Sequence, residues 1–278
     1  MSKSSRKGRL LSVAAATMLV GGLLTPCTTH ASPPADPTPS PRIIGGVQAE
    51  ENEFPFMVSI QAGERHFCGG SLIDANTVLT AAHCVSERVG STAQGVNLVI
   101  GRTTLSDSSQ GITRKIKVVN GQADITIHPR YAVIAGYDAA LLRLNEPVHG
   151  ITPVALPPRG ATGLTTSGRA TVIGWGTVDP SGERDMPDGL RKVTIPLHST
   201  AACAEDGGHE YNAATDLCGG SAGKGACFSD SGGPLVRRHA GRLYQIGIVS
   251  WGKACGHAEH HSFFTSTASS TLWNTFRS

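Results

Sequence analysis

The sequence of 278 residues predicts an all-β fold, either a sandwich or a barrel. Apolar and polar residues alternate in many short runs, and glycine, proline, serine and asparagine separate these runs, as in antiparallel sheets. Long helical periodicity is missing, and one short helix is predicted at the end, where Leu272, Trp273 and Phe276 fall on one face. The predicted strands are Phe56–Ile60, Thr77–Thr80, Val96–Ile100, Arg114–Val119, Asp124–Ile127, Ala139–Leu144, Ala170–Gly174, Leu190–Ile195 and Leu243–Val249.

Residues 1–31 have the layout of a secretory signal peptide. Basic residues precede an apolar run from Leu10 to Leu24, and Thr29-His30-Ala31 offers small residues at the cleavage position. The run has about 15 residues, fewer than the ~20 that a membrane-spanning helix needs, and Pro26 follows it closely. A retained signal anchor and a lipid attached to Cys27 are alternatives that the sequence leaves open. We therefore expect a secreted, extracellular protein.

Residues 32–42 are predicted to be a propeptide. Five of the ten residues from Ser32 to Pro41 are proline, which is typical of an extended spacer without a core. Arg42 ends this segment, and Ile43-Ile44-Gly45-Gly46 begins a stretch of different composition. Residues 43–278, which number 236, can form a well-buried core in one large unit or in two small barrels.

The charge of the predicted mature chain argues against nucleic acid or an anionic membrane as a partner. The full sequence has a formal charge of +3, from 24 basic and 21 acidic residues. Residues 1–42 hold five of the basic residues and one of the acidic ones, so residues 43–278 have a formal charge of −1. The strongly basic surface that such partners attract is therefore not expected.

Six cysteines remain when Cys27 is assigned to the signal peptide. An even number in an exported protein predicts disulfides, and six cysteines can pair in fifteen ways. Their spacing does not choose among these pairings. A zinc site is the rival interpretation, but no close Cys-x-x-Cys or His-x-x-x-His pair accompanies these cysteines.

Three residues in separate parts of the sequence could form a nucleophilic site. Ser231 lies in Cys227-Phe228-Ser229-Asp230-Ser231-Gly232-Gly233-Pro234, and a serine hydroxyl needs both a base and an orienting acid to act as a nucleophile. His83 follows an apolar strand and adjoins Cys84, although a lone histidine is most often a surface or core residue. Asp138 begins an apolar strand, where a buried carboxylate needs a partner, and a strand-capping role is the simpler interpretation.

Six short motifs occur along the sequence from Ile43 to the C-terminus. They are Ile43-Ile44-Gly45-Gly46, Thr80-Ala81-Ala82-His83-Cys84, Asp138-Ala139-Ala140-Leu141-Leu142, Ile173-Gly174-Trp175-Gly176, Asp230-Ser231-Gly232-Gly233-Pro234 and Ser250-Trp251-Gly252. In this order they resemble the motifs of the chymotrypsin-like serine proteases. Each motif alone is weak, but the six in register are specific.

The resemblance implies two six-stranded antiparallel β-barrels, divided near residue 160, with a short C-terminal helix and the active site between the barrels. It implies an endopeptidase that works through an acyl-enzyme. Ser231 would attack the scissile carbonyl, His83 would take and return the proton, and Asp138 would hold the imidazole. The backbone N–H groups of Ser229 and Ser231 would form the oxyanion hole.

The resemblance also implies one of the fifteen disulfide pairings, namely Cys68–Cys84, Cys203–Cys218 and Cys227–Cys255. Each pair closes a loop of fewer than about 30 residues, and each is expected to contribute ~3 kcal/mol to stability.

Activation by proteolysis is a further implication. An activating protease would cut between Arg42 and Ile43, and the new α-amino group of Ile43 would pair with Asp230. Before the cut, Asp230 would bond His66 instead. Activity would then fall as the amine deprotonates above its ordinary pKa of about 8.

Specificity is expected from three matched pocket positions, Gly225, Gly252 and Ser262. None is charged and the glycines leave room, so cleavage is expected after Phe, Tyr, Leu or Met, whereas a lysine or arginine would lack a partner. Val249 occupies a position that is histidine in some glutamate-specific relatives, so that preference is not expected. Ser250 and Gly252 would bind the substrate backbone as an added strand.

The implied partners are protein or peptide substrates, the activating protease and, as a further candidate class, protein protease inhibitors. No metal and no cofactor are implied, and we expect a monomer.

Ser229 departs from the family motif Gly-Asp-Ser-Gly. Serine there is expected to cost about 1–2 kcal/mol in an unfavourable dihedral angle. A flipped peptide would lose a donor that is worth about 10²–10³ in rate.

The first alternative is therefore a catalytically impaired, protease-like binding protein. The second is an α/β-hydrolase, because Gly219-Gly220-Ser221-Ala222-Gly223 fits its Gly-x-Ser-x-Gly elbow, although the sequence predicts neither the strand before the elbow nor the helix after it.

Overall fold

Two antiparallel sheets, each closed on itself, contain nearly all the strands. The computed structural model describes residues 44–86, 88–179 and 186–276. Within them the strands are β1 Val47–Gln48, β2 Met57–Ala62, β3 Arg65–Asp74, β4 Thr77–Thr80, β5 Val96–Ile100, β6 Ile112–Arg114, β7 Val118–Val119, β8 Gln122–Ala123, β9 Ile125–Ile127, β10 Ala140–Arg143, β11 Arg169–Gly174, β12 Arg191–Pro196, β13 Asp216–Gly219, β14 Pro234–His239, β15 Arg242–Gly252 and β16 Ser262–Ser266. The helices are α1 Ala82–Ser86, α2 Thr200–Gly207 and α3 Ser270–Phe276, with 3-10 turns at Thr162–Leu164 and Gly208–Glu210.

The first barrel has the strand order β6-β5-β2-β3-β4-β10-β9. Strands β6 and β9 belong to one stretch of chain that the small β7–β8 hairpin interrupts. One piece pairs with β5 and the other with β10, and a bridge between Ile116 and Leu144 joins the same stretch to the end of β10. The interrupted strand therefore closes the sheet, which is a six-stranded barrel.

The second barrel contains β12-β11-β14-β15-β16-β13 in this order. A bridge between Leu197 and Gly219 joins the ends of β12 and β13, and this bridge closes the ring of six strands. The short strand β1 is added to the outer edge of β12. The predicted all-β fold of two six-stranded antiparallel barrels is confirmed.

The barrels are held by apolar side chains that are removed from water. In the first barrel, Met57, Ile60, Leu72, Leu79, Leu98 and Leu142 are fully buried. In the second, Val172, Ile195, Leu235, Ile246 and Phe264 are fully buried. Complete burial of such a side chain stabilises a fold by about 1.5–3 kcal/mol, so the closed sheets form a rigid support for the loops between them.

The C-terminal helix is confirmed, and it ends the described chain at Phe276. Leu272, Trp273 and Phe276 are buried on its inner face, and the Trp273 indole donates a hydrogen bond to the carbonyl of Thr267 at 2.7 Å. Helices α1 and α2 were not predicted because they have only five and eight residues and depend on tertiary contacts. None of the helices that the structure describes is long and apolar enough to span a membrane.

Strand β3 was missed because glycines interrupt its apolar pattern. A Cβ atom on Gly69 would lie 2.8 Å from the Cα atom of Gly233, so only glycine allows the chain after Ser231 to approach this strand. The Gly69 N–H group donates to the carbonyl of Ser231 at 2.7 Å. Gly69 thus breaks the apolar alternation that would predict a strand, and it also joins the Ser231 loop to the first barrel.

Candidate active site

The three predicted triad residues lie on separate segments of the chain that meet between the barrels. His83 is in α1, directly after β4, and the adjacent Cys84 is bonded to Cys68 on β3. Asp138 comes just before β10, and Ser231 just before β14. The barrels therefore bring together residues that are 148 positions apart in the sequence.

His83 and Asp138 make two direct contacts. The Nδ1 atom of His83 lies 2.7 Å from Oδ2 of Asp138, and the backbone N–H group of His83 donates to Oδ1 at 2.9 Å. The hydroxyl of Ser250 donates to Oδ2 at 2.6 Å. Burial raises the pKa of Asp138, but the hydrogen bonds from His83 and Ser250 outweigh burial, so the pKa lies below its ordinary value and the carboxylate stays charged.

Ser231 borders the same cavity of about 640 Å³ as His83. The sulfur of Cys84 lies 3.8 Å from Nε2 of His83 and 3.6 Å from the carbonyl oxygen of Ser231. Within the described chain no hydrogen bond joins the Ser231 hydroxyl to His83. In enzymes without a bound substrate this contact is often long and shortens in the complex.

The backbone around Ser229 has the conformation of a glycine. Its φ angle is 69°, in the left-handed region that L-residues rarely adopt. The carbonyl of Phe228 accepts a hydrogen bond from the Thr177 N–H group at 2.8 Å. In a trans peptide the N–H group points opposite to the carbonyl, so the Ser229 N–H group points away from Thr177. The expected unfavourable dihedral angle is present, and the peptide is held in one orientation.

His66 bonds Ser229 and not Asp230, so the expected contact between His66 and Asp230 is wrong for this structure. Nε2 of His66 donates to the carbonyl of Ser229 at 3.0 Å, and Nδ1 lies 2.8 Å from the hydroxyl of Ser59. Both ring nitrogens already have partners that are not charged. Burial lowers the pKa of His66 to about 4, so its ring is neutral near neutral pH.

Asp230 is completely buried, and no cation pairs with it in the described residues. Its carboxylate accepts hydrogen bonds from the N–H groups of Gly176 at 2.8 Å and Cys227 at 2.9 Å. Burial raises the pKa of Asp230 to about 7 despite these bonds. The two other predicted activation residues, Arg42 and Ile43, lie outside the described residues. The next residue, Ile44, is buried against Gly256.

A cavity of about 410 Å³ opens beside Ser231, between Ala226–Phe228 and Val249–Cys255. Of the three positions proposed for the specificity pocket, Gly252 and Ser262 line this cavity, but Gly225 is buried and does not. The hydroxyl of Ser262 accepts from the Ala226 N–H group at 3.1 Å, and a Cβ atom on Gly225 would lie 3.0 Å from the same oxygen. Ser262 therefore covers Gly225, because its side chain reaches toward the opposite wall.

The charge of this cavity is small. Among the described residues that line it, the one ionisable group is Lys253, whose ammonium lies 3.3 Å from a carboxylate oxygen of Asp206, outside the cavity. Trp251 contributes a wall, and its ring is stacked on Phe263 at a centroid distance of 3.9 Å. The cavity suits an uncharged side chain.

A larger cavity of about 810 Å³, on the other side of His83, was not predicted. The loop of residues 131–136 forms one wall, and Trp251 and Gly252 form another. Val133 and Ile134 on this loop are 76% and 48% exposed, so the wall presents apolar side chains to solvent. The exposed Val-Ile pair was the only available signal, since the loop contains none of the six motifs.

The three disulfides Cys68–Cys84, Cys203–Cys218 and Cys227–Cys255 are those that the resemblance implied. Cys68, His83 and Cys84 also form a cluster of potential metal-ligand atoms. The two sulfurs in that cluster are bonded to each other, so neither is the thiolate that zinc requires.

Ser221 is not on a nucleophile elbow. Strand β13 does precede it, contrary to the expectation from the sequence, but a tight turn follows, in which Ser221 and Lys224 exchange backbone hydrogen bonds. An elbow requires a helix at this point and an alternating β/α fold around it. The α/β-hydrolase alternative is therefore wrong.

The fold and the site define a two-barrel protein whose histidine, aspartate and serine meet at the cleft between the barrels. Comparison with known sequences gives the family. The family model described as Trypsin matches residues 43–273. Trypsin-1 of Astacus astacus is 34% identical over 241 residues, which are 83% of this chain and 98% of that protein. Trypsin of Saccharopolyspora erythraea is 35% identical, over 77% of this chain and 88% of that protein.

Hypodermin-B of Hypoderma lineatum is 34% identical, over 84% of this chain and 86% of that protein. The chain belongs to the trypsin family. It is a serine endopeptidase, a hydrolase that acts on protein or peptide substrates.

Proposed function

We propose that this chain is a secreted endopeptidase in which Ser231 is the nucleophile, His83 the general base and Asp138 the residue that orients His83. The proposal depends chiefly on the geometry of Asp138, whose carboxylate contacts both the ring and the backbone of His83. These contacts leave Nε2 of His83 on the side of the cavity that Ser231 borders.

The reaction follows from these positions. The Ser231 hydroxyl adds to the scissile carbonyl carbon while its proton passes to Nε2 of His83. The tetrahedral intermediate collapses to an acyl-enzyme when the leaving amine takes that proton. Water then attacks the acyl-enzyme, with His83 again as the base. The charge of Asp138 stabilises the imidazolium that forms in each half-reaction.

The oxyanion is stabilised by the N–H groups of Ser229 and Ser231. Neither group donates to another backbone carbonyl in the described residues, and the Thr177 contact turns the Ser229 N–H group away from Thr177. Two such donors, already oriented before the reaction, stabilise the developing negative charge without reorganisation.

Cleavage is proposed after apolar residues of medium or large size, namely Phe, Tyr, Leu or Met. The cavity of about 410 Å³ beside Ser231 takes the side chain before the cut. Because none of the described residues that line the cavity has a carboxylate, a buried lysine or arginine would lack a partner. In the described residues, backbone hydrogen bonds on the β14 side of β15 continue only to Val249, so Ser250 and Gly252 are left on that side to pair with the substrate backbone as an added strand.

Secretion and activation are parts of the same proposal. Residues 1–31 are a signal peptide, 32–42 a propeptide and 43–278 the protease domain, and the three disulfides fit an oxidising compartment. Cleavage after Arg42 by an activating protease releases the amino group of Ile43. The buried Asp230, which pairs with no cation among the described residues, and the buried Ile44 support this pairing. The protein acts as a monomer, and protein protease inhibitors are further candidate partners.

A catalytically impaired, protease-like binding protein is the second candidate. The positive φ of Ser229 favours it, because strain at this residue acts against the orientation that the oxyanion hole needs.

A fluorophosphonate probe distinguishes the two candidates. Protein processed to begin at Ile43 is expected to be labelled at Ser231, the Ser231→Ala variant is expected to be unlabelled, and the matched Ser221→Ala variant should be labelled as the parent is. A processed, folded protein that the probe leaves unlabelled would rule out the protease proposal in favour of the binding protein. A peptide-library cleavage profile of the same sample then tests the preference for apolar residues.

A further inference from the structure

Ser229 is strained in the conformation that the proposed oxyanion hole requires. Its φ of 69° costs an L-residue on the order of 1 kcal/mol relative to glycine. Rotation of the peptide between Phe228 and Ser229 by half a turn would bring φ to about −110°, an ordinary value for serine. The same rotation would reverse the Ser229 N–H group. The strain therefore favours the state that lacks this donor.

Hydrogen bonds on both sides of Ser229 oppose that rotation. On its N-terminal side, the Thr177 N–H group holds the carbonyl of Phe228 at 2.8 Å. On its C-terminal side, Nε2 of His66 holds the carbonyl of Ser229 at 3.0 Å. The φ and ψ angles of a residue describe how its two flanking peptide planes are turned, so two fixed planes determine both angles.

The protonation of His66 follows from its partners. A carbonyl oxygen only accepts, so Nε2 carries the proton and Nδ1 accepts from the hydroxyl of Ser59. The side-chain amide of Gln61 donates to the same Ser59 oxygen at 3.1 Å. A buried series of hydrogen bonds thus runs from Gln61 through Ser59 and His66 to Ser229. None of the three donor side chains belongs to a residue that is more than 4% exposed.

We propose that His66 is a positioning residue that keeps the Ser229 N–H group available to the oxyanion, and that this chain depends on it because residue 229 is serine. A glycine at 229 would adopt the same φ without strain and would need the His66 contact less. The inference depends on the proposed function, since it assigns the Ser229 N–H group to the oxyanion hole. It adds an energetic coupling between His66 and the identity of residue 229.

A double-mutant cycle between His66→Phe and Ser229→Gly tests the coupling. Phenylalanine keeps a ring at position 66 and removes the donor. In the natural Ser229 background we expect kcat to fall by about tenfold, with KM within about threefold, because part of a donor worth about 10²–10³ in rate is lost. In the Ser229→Gly background the same change is expected to lower kcat by less than about threefold.

Two further variants separate positioning from a structural role. His66→Gln places an amide N–H group at a similar reach and is expected to retain most of kcat in the Ser229 background. Ser59→Ala removes the hydroxyl that fixes the ring tautomer, and it is expected to lower kcat less than His66→Phe does, again only with serine at 229. Ser59→Ala also provides the test if His66→Phe fails to fold.

Inhibitor binding gives a readout that is independent of turnover. A peptide aldehyde forms an oxyanion with the nucleophile, whereas the corresponding peptide amide binds without one. His66→Phe is expected to weaken the aldehyde by the same factor as kcat and to leave the amide unchanged. Equal losses of kcat in both backgrounds, or a loss confined to KM, would overturn this inference alone. No fluorophosphonate labelling of any of the proteins would overturn the proposed function and this inference with it.

Discussion

At the scale of single residues, burial acts against three aspartates with different results. Asp138 remains charged because His83 and Ser250 donate to it, whereas burial raises the pKa of Asp216 and of Asp230 to about 7. A carboxylate in the protein interior stays ionised only where enough donors replace the water that it has lost. Asp216 and Asp230 each accept two of these hydrogen bonds, whereas Asp138 accepts three, and the two with fewer donors are therefore sensitive to pH in the neutral range.

Asp138→Asn is expected to lower kcat by about 10³–10⁴-fold with little change in KM. The amide has no charge to stabilise the imidazolium, and it can turn an N–H group toward Nδ1 of His83. Steady-state kinetics on a peptide substrate measure the effect. Ser250→Ala is the matched control, since it removes one bond to the same carboxylate and leaves the charge, and a loss of only about tenfold is expected. Similar losses for both variants would contradict the role given to Asp138.

Asp216→Asn is expected to stabilise the protein above pH 7. Burial is the main cause of the raised pKa of Asp216, although the backbone of Asn212 and the hydroxyl of Thr215 both donate to its carboxylate at 3.1 Å. A raised pKa means that the folded protein binds more protons than the unfolded chain between pH ~4 and ~7, so this residue makes stability fall as pH rises through that window.

Asparagine removes this dependence and can still accept from the Asn212 N–H group. The midpoint of thermal unfolding, measured from pH 4 to 8, is expected to decline less with pH in the variant. At pH 8 the free energy of unfolding of the variant is expected to exceed that of the parent by at least about 1 kcal/mol, since each pKa unit corresponds to about 1.4 kcal/mol. Parallel curves for the two proteins would show that Asp216 is not the cause.

At the scale of elements, the ends of strands and the adjoining loops form the walls of the cleft. Strand β16 begins with Ser262, which pairs with Gly252 at the end of β15, so both residues lie side by side along one cavity. A β-bulge between Val249 and Trp251 turns β15 at the point where Ser250 reaches Asp138. Strand register thus determines both the position of Ser250, which contacts Asp138, and the depth of the cavity.

Ser262→Gly is expected to deepen the cavity and to shift the preference toward larger residues. The serine hydroxyl covers Gly225, and its removal opens the space around that residue. The ratio of kcat/KM for Phe and Tyr substrates to that for Leu and Met substrates is expected to rise by about tenfold, the usual worth of a small change in pocket volume. Gly252→Val, which narrows the same cavity, is expected to lower the ratio. An unchanged ratio in both variants would place the side chain before the cut elsewhere.

At the scale of the whole molecule, the proposed cleavage after Arg42 would act on the fold through Asp230. The carboxylate of Asp230 accepts hydrogen bonds from the N–H groups of Gly176 and Cys227. No cation in the described chain pairs with it. A new amino group at Ile43 would supply one from the other end of the sequence.

Cleavage after Arg42 is expected to raise stability at pH 7 to 8 and to leave it nearly unchanged at pH 5. In the uncleaved chain the raised pKa of Asp230 makes stability fall from pH ~4 to ~7, and an ammonium group removes that loss. Activity is expected to decline above pH ~8 as the amine deprotonates. Thermal unfolding of the cleaved and uncleaved proteins measures the change in stability. In an Asp230→Asn variant cleavage should no longer stabilise, and a persisting gain would contradict the ion pair.

The sequence by itself determined the fold class, the family and the three disulfide pairs implied by it. Alternation of apolar residues is a local property, and short motifs such as Asp230-Ser231-Gly232-Gly233-Pro234 keep their meaning without knowledge of distant contacts. The same local reasoning failed at β3, where Gly69 breaks the pattern, and at α1 and α2, which are too short to show periodicity.

Only the tertiary structure decided what each candidate site residue touches. In the structure His66 forms a hydrogen bond with Ser229 instead of Asp230, and Ser262 covers Gly225. The structure also showed the apolar loop that faces the larger cavity. The physical reason is that these contacts join residues far apart in the sequence, and they exist only once both barrels have closed. The strain at Ser229 is likewise a property of the closed fold, because the hydrogen bonds that maintain it come from His66 and Thr177, at least 52 positions away.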